Sequence, residues 1–431
     1  MYQYQSLNFA CNEIRLLVLI PGPEESQIKG LIFKYARLSA HSSLSYISEF
    51  EKEIIAAVKA RGIHDGRFTG YDALSYEWGD INSPRHEILL NGDHLEIREN
   101  LFQALLSLRS RKMTRPLWVD AICINQEDVQ ERDHQVRMMS SIYNSAISVR
   151  VWLGYNTTAI SDAFQLIPYI LTAYSLEDLT IAENRRLVCR FLRGHIPYSN
   201  ENLFKSDNNK DFTSDWEELF LVQNKIDFWD DHLMSTMSQK GWWEALARFL
   251  EQSYWTRIWI VQEYLLARNI IIYCGRKAID SRYLDMALNS IDLITPEQYL
   301  EYPPYFKEIT ERINNSVGKG IIESRRRSEF DATRNRTRRR ARTLFDLIEK
   351  TRRSRCHDPH DRIYAIMGLA DEMWTASDSI PIDYDRSIFK VKMDIVCFMQ
   401  RSKGFNQDDV SQMCLLLDEI FADCPDSYYE A

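Results

Sequence analysis

In the stretch SYWTRIWIVQEYLLA, Trp259 and Glu263 stand four residues apart, one helical turn, so an indole and a carboxylate share a face. Leu266 falls on the same stripe. A carboxylate on an apolar stripe costs free energy unless it has a partner or faces a polar pocket. Preorganised in a water-poor site, such a group can stabilise positive charge that develops on a substrate. The structural alternative is that Glu263 pairs with Arg257 or Arg268, or lies at the helix edge.

A second candidate lies in LWVDAICINQEDVQERDHQVRMMSSIYNSA, residues 117–146. An apolar run reads as a strand that carries Asp120 towards its carboxyl end. Asn125 and Gln126 follow in the turn before a helix. In open α/β sheets, ligands bind at the carboxyl ends of strands and near helix N-termini, which favour anionic groups. The alternative is local, because Asn and Asp also satisfy free backbone donors at such junctions. Cys123 alternates within the predicted strand and reads as a small buried hydrophobe. His134 reads as a solvated helix residue. No sequence signature supports a Ser-His-Asp or Cys-His assembly.

The elements that carry these residues follow from pattern. EIRLLVLIPG and IKGLIFKYARL read as strands around a PGPEES turn, followed by a helix in SYISEFEKEIIAAVKARG. Ala73 to Tyr76 form a short strand that ends in a Trp-Gly turn. HEILLNGDHLEI is a hairpin across Asn91-Gly92. ENLFQALLSLRSRK puts Leu101, Leu105 and Leu108 on one helical face. The helix after Gln126, capped by Asn125 or Asp128, carries Val136, Met139, Tyr143 and Ala146 on its apolar side. SVRVWLG is the next strand, and strand, helix, strand predicts a βαβ unit with a parallel sheet.

The predicted organisation is residues 1–70 as leading strands and helix, 71–275 as an α/β domain with a helical insertion at about 155–240, and 276–431 as a mainly helical region. The last contains an arginine-rich segment, 325–355, whose better reading is a solvated surface, since it lacks the interleaved aromatics that stack bases.

Composition narrows the classes. The chain has 431 residues, 45% hydrophobic and 27% charged, with a formal net charge of −9, so its overall field does not attract nucleic acid or an anionic membrane. No run approaches the roughly 18 apolar residues of a membrane helix, and the N-terminus lacks a secretory pattern. A cytoplasmic location is expected. Eight cysteines occur without CxxC pairs or zinc spacing, so no metal site is expected.

The runs IRLLVLIPG, YDALSYEWGD, NLFQALLSLR, LWVDAICINQEDVQERDHQVRMMSSIYNSAISVRVWLG and WTRIWIVQEYLLA together resemble the fungal heterokaryon-incompatibility (HET) domain. DPHDRIYAIMGLADE and IPIDYDRS resemble the segment that commonly follows it. The resemblance implies non-self recognition between fungal individuals and programmed cell death, through a protein partner or self-association. A more distant similarity links YDALSY and the Trp259/Glu263 helix to TIR domains, some of which cleave NAD with the glutamate of that motif. It implies a TIR-like or flavodoxin-like α/β fold, with NAD as substrate and no cofactor required. Glu263 would then be catalytic. Tyr76, Trp78, Asp120, Asn125, Gln126 and Trp259 would hold the dinucleotide, and the two strand-end aromatics could instead be core. A non-enzymatic signalling module is the rival reading.

Overall fold

The computed structural model describes residues 1–23, 25–36, 70–109, 116–155, 162–164, 167, 240–275, 277–292, 304–334, 343–370, 380–401 and 405–422. The predicted helix at 45–62, most of the insertion at 155–240 and the arginines at 335–342 lie outside them. Contacts divide the chain into two units, each discontinuous in sequence: 1–155, 253–270 and 324–431 in the first, 156–252 and 271–323 in the second. The sequence boundaries followed motif and composition, whereas this partition follows packing.

The first unit is α/β, with strands β1 (Glu13–Leu19), β2 (Lys29–Ala36), β3 (Asp72–Tyr76), β4 (Arg85–Leu90), β5 (Asp93–Arg98), β6 (Pro116–Trp118) and β7 (Ser148–Trp152). Their order in the sheet is β5-β4-β2-β1-β6-β3-β7. β3 runs parallel to both β6 and β7, while β1 is antiparallel to β2 and β6. Every residue of β3, β6 and β7 is buried, as expected for parallel strands covered on both faces. β4 and β5 alternate instead and form the predicted hairpin, with Asn91 and Gly92 at φ of 54° and 97°. A two-residue turn of that hand suits the strand twist, and Asn-Gly reaches it with little strain.

Helix α1 (Glu99–Leu108) buries Leu101, Ala104 and Leu105, and α3 (Val129–Ser145) buries Val136, Met139 and Tyr143. Asp128, rather than Asn125, caps α3 by accepting from the Glu131 amide at 3.0 Å. Between β6 and α3 the structure corrects the expected long strand. Pairing stops at Trp118, and Asp120–Cys123 turn into the one-turn helix α2. A short apolar run does not distinguish a strand from a buried helical turn. Here the turn buries Ile122, Cys123 and Ile124, while Arg15 of β1 donates to the Cys123 carbonyl at 3.0 Å. Cys123 is thus buried in a helix, and burial pushes its thiol up to about 12. His134 is not fully solvated; it is half-buried and stacks on Phe9.

The later part of this unit is helical: α5 (Ile260–Leu265), α9 (Leu344–Thr351), α10 (Asp361–Met367), α11 (Ile388–Arg401) and α12 (Gln407–Ile420). Thr343 caps α9, and Asn406 with Asp409 forms a capping box on α12.

The second unit contains α4 (Lys240–Leu250), α6 (Ser281–Asp292), α7 (Pro304–Asn315), and the antiparallel pair β8 (Ile270–Cys274) and β9 (Lys277–Asp280) from Ile271 onward. Helix α8 (Val317–Arg334) belongs to it as far as Glu323. Arg312 of α7 forks to Glu244 and Glu251, with N···O distances of 2.8 and 2.6 Å. Beside it, Trp243 packs edge-on against Phe306.

Candidate functional site

Ser75 is a polar residue in the fully buried strand β3, close to its carboxyl end. Its hydroxyl donates to the Glu263 carboxylate and lies 2.6 Å from the Tyr254 hydroxyl. Because Ser75 has one proton to give, Tyr254 must donate to Ser75 whenever Glu263 is ionised. Glu263 is 2% exposed. Burial pushes its carboxyl up to about 7, against the opposing effects of Arg257 and the Ser75 hydroxyl. Arg257 approaches Glu263 only to 4.0 Å and retains a buried guanidinium nitrogen with no hydrogen-bond partner.

Asp120 stands beside this group. It begins α2 just past the end of β6, the parallel neighbour of β3. Trp78 donates its indole N–H to Asp120 at 2.7 Å, and the Tyr76 hydroxyl lies beside the carboxylate. Burial raises the Asp120 pKa, opposed by Trp78 and Arg257. Burial works against the charge on Arg257, but Glu263 and Asp120 outweigh it and raise its pKa. The charge of one arginine therefore acts on two carboxylates near the carboxyl ends of two parallel strands, where α/β folds place ligands. The half-buried Trp78 lies under the Arg98 guanidinium, 5.5 Å from its ring centre.

Of the residues singled out in the sequence, Glu263, Asp120, Tyr76 and Trp78 thus come together. Asn125 and Gln126 are engaged locally. Asn125 accepts from the Glu127 amide at 3.3 Å, and Gln126 donates to the Asp120 carbonyl at 3.0 Å, closing the turn that presents Asp120. Trp259 precedes α5 without a side-chain capping bond, and its indole faces Asp361, so it and Glu263 have different partners. Arg268 bonds to the Asn144 carbonyl instead of Glu263.

Sequence reasoning missed Ser75 and Tyr254. The available signal was a serine in a short strand buried throughout. It also missed the anchor beneath the Asp120 turn, where Arg15 and Glu131, both 2% exposed, pair through two contacts of 2.5 and 2.9 Å. Glu131 also accepts from the Asn125 amide at 2.7 Å. One side of α3 therefore carries a charge that is buried and paired.

Residues 71–263 match the family model described as Heterokaryon incompatibility protein (HET). The chain carries a HET domain. A curated relative, Heterokaryon incompatibility protein 6, OR allele, from Neurospora crassa, is 27% identical over 230 residues, which is 49% of this chain and 30% of the relative. The chain thus matches less than a third of that relative's length. No solved structure matches it significantly. The HET match contains Ser75, Tyr76, Trp78, Asp120, Tyr254 and Arg257, and it ends at Glu263. Among the described residues, no helix is long and apolar enough to cross a membrane, and no cluster of three or more His, Cys, Asp or Glu could hold a metal ion.

Proposed function

We propose that this chain acts in heterokaryon incompatibility, and that its HET domain cleaves NAD in the cytoplasm to trigger cell death on non-self recognition. The observation that carries the chemical part is Glu263. It is a buried carboxylate at the carboxyl end of β3, held by one hydroxyl and a distant arginine. The similarity to the Neurospora crassa heterokaryon incompatibility protein supports the biological part.

In the proposed reaction the bond between the ribose carbon and the nicotinamide nitrogen breaks, and its electron pair goes to the nitrogen. The pyridinium leaves neutral, so no acid need protonate it. Positive charge grows on the ribose, as in glycoside hydrolysis. The ionised Glu263 stabilises that charge, and water completes the substitution by adding to the ribose carbon and releasing a proton. Arg257 and the Ser75 hydroxyl favour the ionised form. Trp78 offers a ring face to a base, and Arg257 a cation to the phosphates.

The 2% exposure of Glu263 favours the rival, a non-enzymatic module that signals by association. Inducible expression of the wild type and Glu263→Gln, with cellular NAD and viability followed together, separates them. On the NAD reading, NAD falls before death, and the substitution slows its loss by about 10²-fold or more, the size of a lost transition-state contact. Death with NAD intact overturns it.

A further inference from the structure

The residues that bear the site's charges are gripped by a part of the chain outside the family match. Residues 256–263, which include Arg257 and Glu263, are engaged at three successive points by residues 355–365.

At the first point, Arg355 forms a parallel bridge with Arg257. Its amide donates to the Thr256 carbonyl at 2.6 Å, and its carbonyl accepts from the Ile258 amide at 3.0 Å. The backbone on both sides of Arg257 is thereby fixed. At the second, the Trp259 indole faces the buried Asp361 carboxylate, which accepts from the Tyr384 hydroxyl at 2.7 Å. The Tyr384 ring in turn lies under the Arg132 guanidinium of α3, at 4.8 Å. At the third, the Gln262 amide donates to the Ala365 carbonyl.

This approach is too close to be incidental. A Cβ on Gly368 would stand 2.6 Å from the Ser140 Cβ and 3.3 Å from the Gln262 Oε1. The carboxyl end of α5 is held as well, by Arg325, which donates to the Tyr264 and Ala267 carbonyls at 2.8 and 2.5 Å. A six-residue helix cannot hold its own direction, because isolated helices this short are not stable. Its orientation must come from these contacts.

We propose that the segment Arg355–Ala365 is a positioning element of the site, with Asp361 its central positioning residue: it holds Trp259, and so sets where α5 presents Glu263 to Ser75. The role ascribed to Glu263 rests on the NAD-cleavage reading, but the clamp itself can be tested without activity.

The test is amide hydrogen exchange on the full chain, comparing the wild type with Asp361→Ala and Asp361→Asn. Asp361→Ala removes the acceptor, and exchange across residues 257–265 is expected to quicken by about tenfold, matching one lost hydrogen bond to a charged group. β3 and β7 should keep their protection. Asp361→Asn, which retains an acceptor oxygen, should restore most of it. Trp259→Phe reads the same bond from its other end if Asp361→Ala fails to fold. Unchanged exchange at 257–265, or an equal rise throughout the unit, overturns the proposal. NAD cleavage assayed on the same proteins keeps the two ideas apart. A wild type without cleavage sinks the catalytic reading and leaves the exchange result to decide the clamp.

Discussion

At the start of β3, Asp72 takes two guanidinium hydrogen bonds from Arg150, at 3.1 and 2.9 Å, with both side chains nearly devoid of solvent. Near its end, at Ser75, the strand meets a second buried carboxylate whose arginine stays at 4.0 Å and is shared with Asp120. Burial raises the pKa of Asp72 and of Glu263 alike. Only Asp72 is enclosed by its partner. The contrast separates two uses of a buried charge. A saturated pair fixes the register of β3 against β7, whereas an unsaturated group keeps interaction capacity for something else.

The most forceful way to break this comparison is Arg150→Ala. It takes the arginine away from the buried Asp72, a loss of about 3–5 kcal/mol. Urea unfolding should show it, and any fall in NAD cleavage should track the folded fraction. A loss below about 1 kcal/mol would mean that the two pairs do not differ in kind.

The next is the pH dependence of stability. Glu263 titrates at about 7 in the fold, above its ordinary value of 4.5, so between these values the folded state binds the extra proton. Its contribution therefore falls as pH rises through that window, by on the order of 3 kcal/mol, and is flat above it. Glu263→Gln should remove this slope and be the more stable protein above pH 7, as measured by urea midpoints across the range. If wild type and variant keep parallel profiles, the carboxylate is not strained.

The mildest is Ser75→Ala. Losing the donor favours the protonated carboxyl, so cleavage at pH 7 should drop several-fold, about 1 kcal/mol, and recover at higher pH. A drop that persists at every pH would assign Ser75 to packing alone.

What the sequence revealed depended on how local the cause was. The hairpin at Asn91-Gly92 and the continuous apolar strands are set by neighbouring residues, and they were legible. The turn at Asp120–Cys123 was not, because a partner 108 positions away, Arg15, takes its carbonyl. The spacing of Trp259 and Glu263 drew attention to α5 but could not show that the indole turns to Asp361. Glu263 was visible as a charge out of place. Ser75, Tyr254 and the sharing of Arg257 with Asp120 exist only once β3, β6 and α5 have met.

That meeting has a date in the life of the chain. Ser75 and Glu263 are 188 residues apart, and the bridge that steadies Arg257 waits for Arg355. At 5–20 residues per second, roughly 15 to 60 s pass between the synthesis of Ser75 and that of Ala365. A ribosome that stalls anywhere in that interval holds a chain whose charged cluster lacks its full support. The order of the pieces along the gene thus delays assembly of the site until Ala365 has been made.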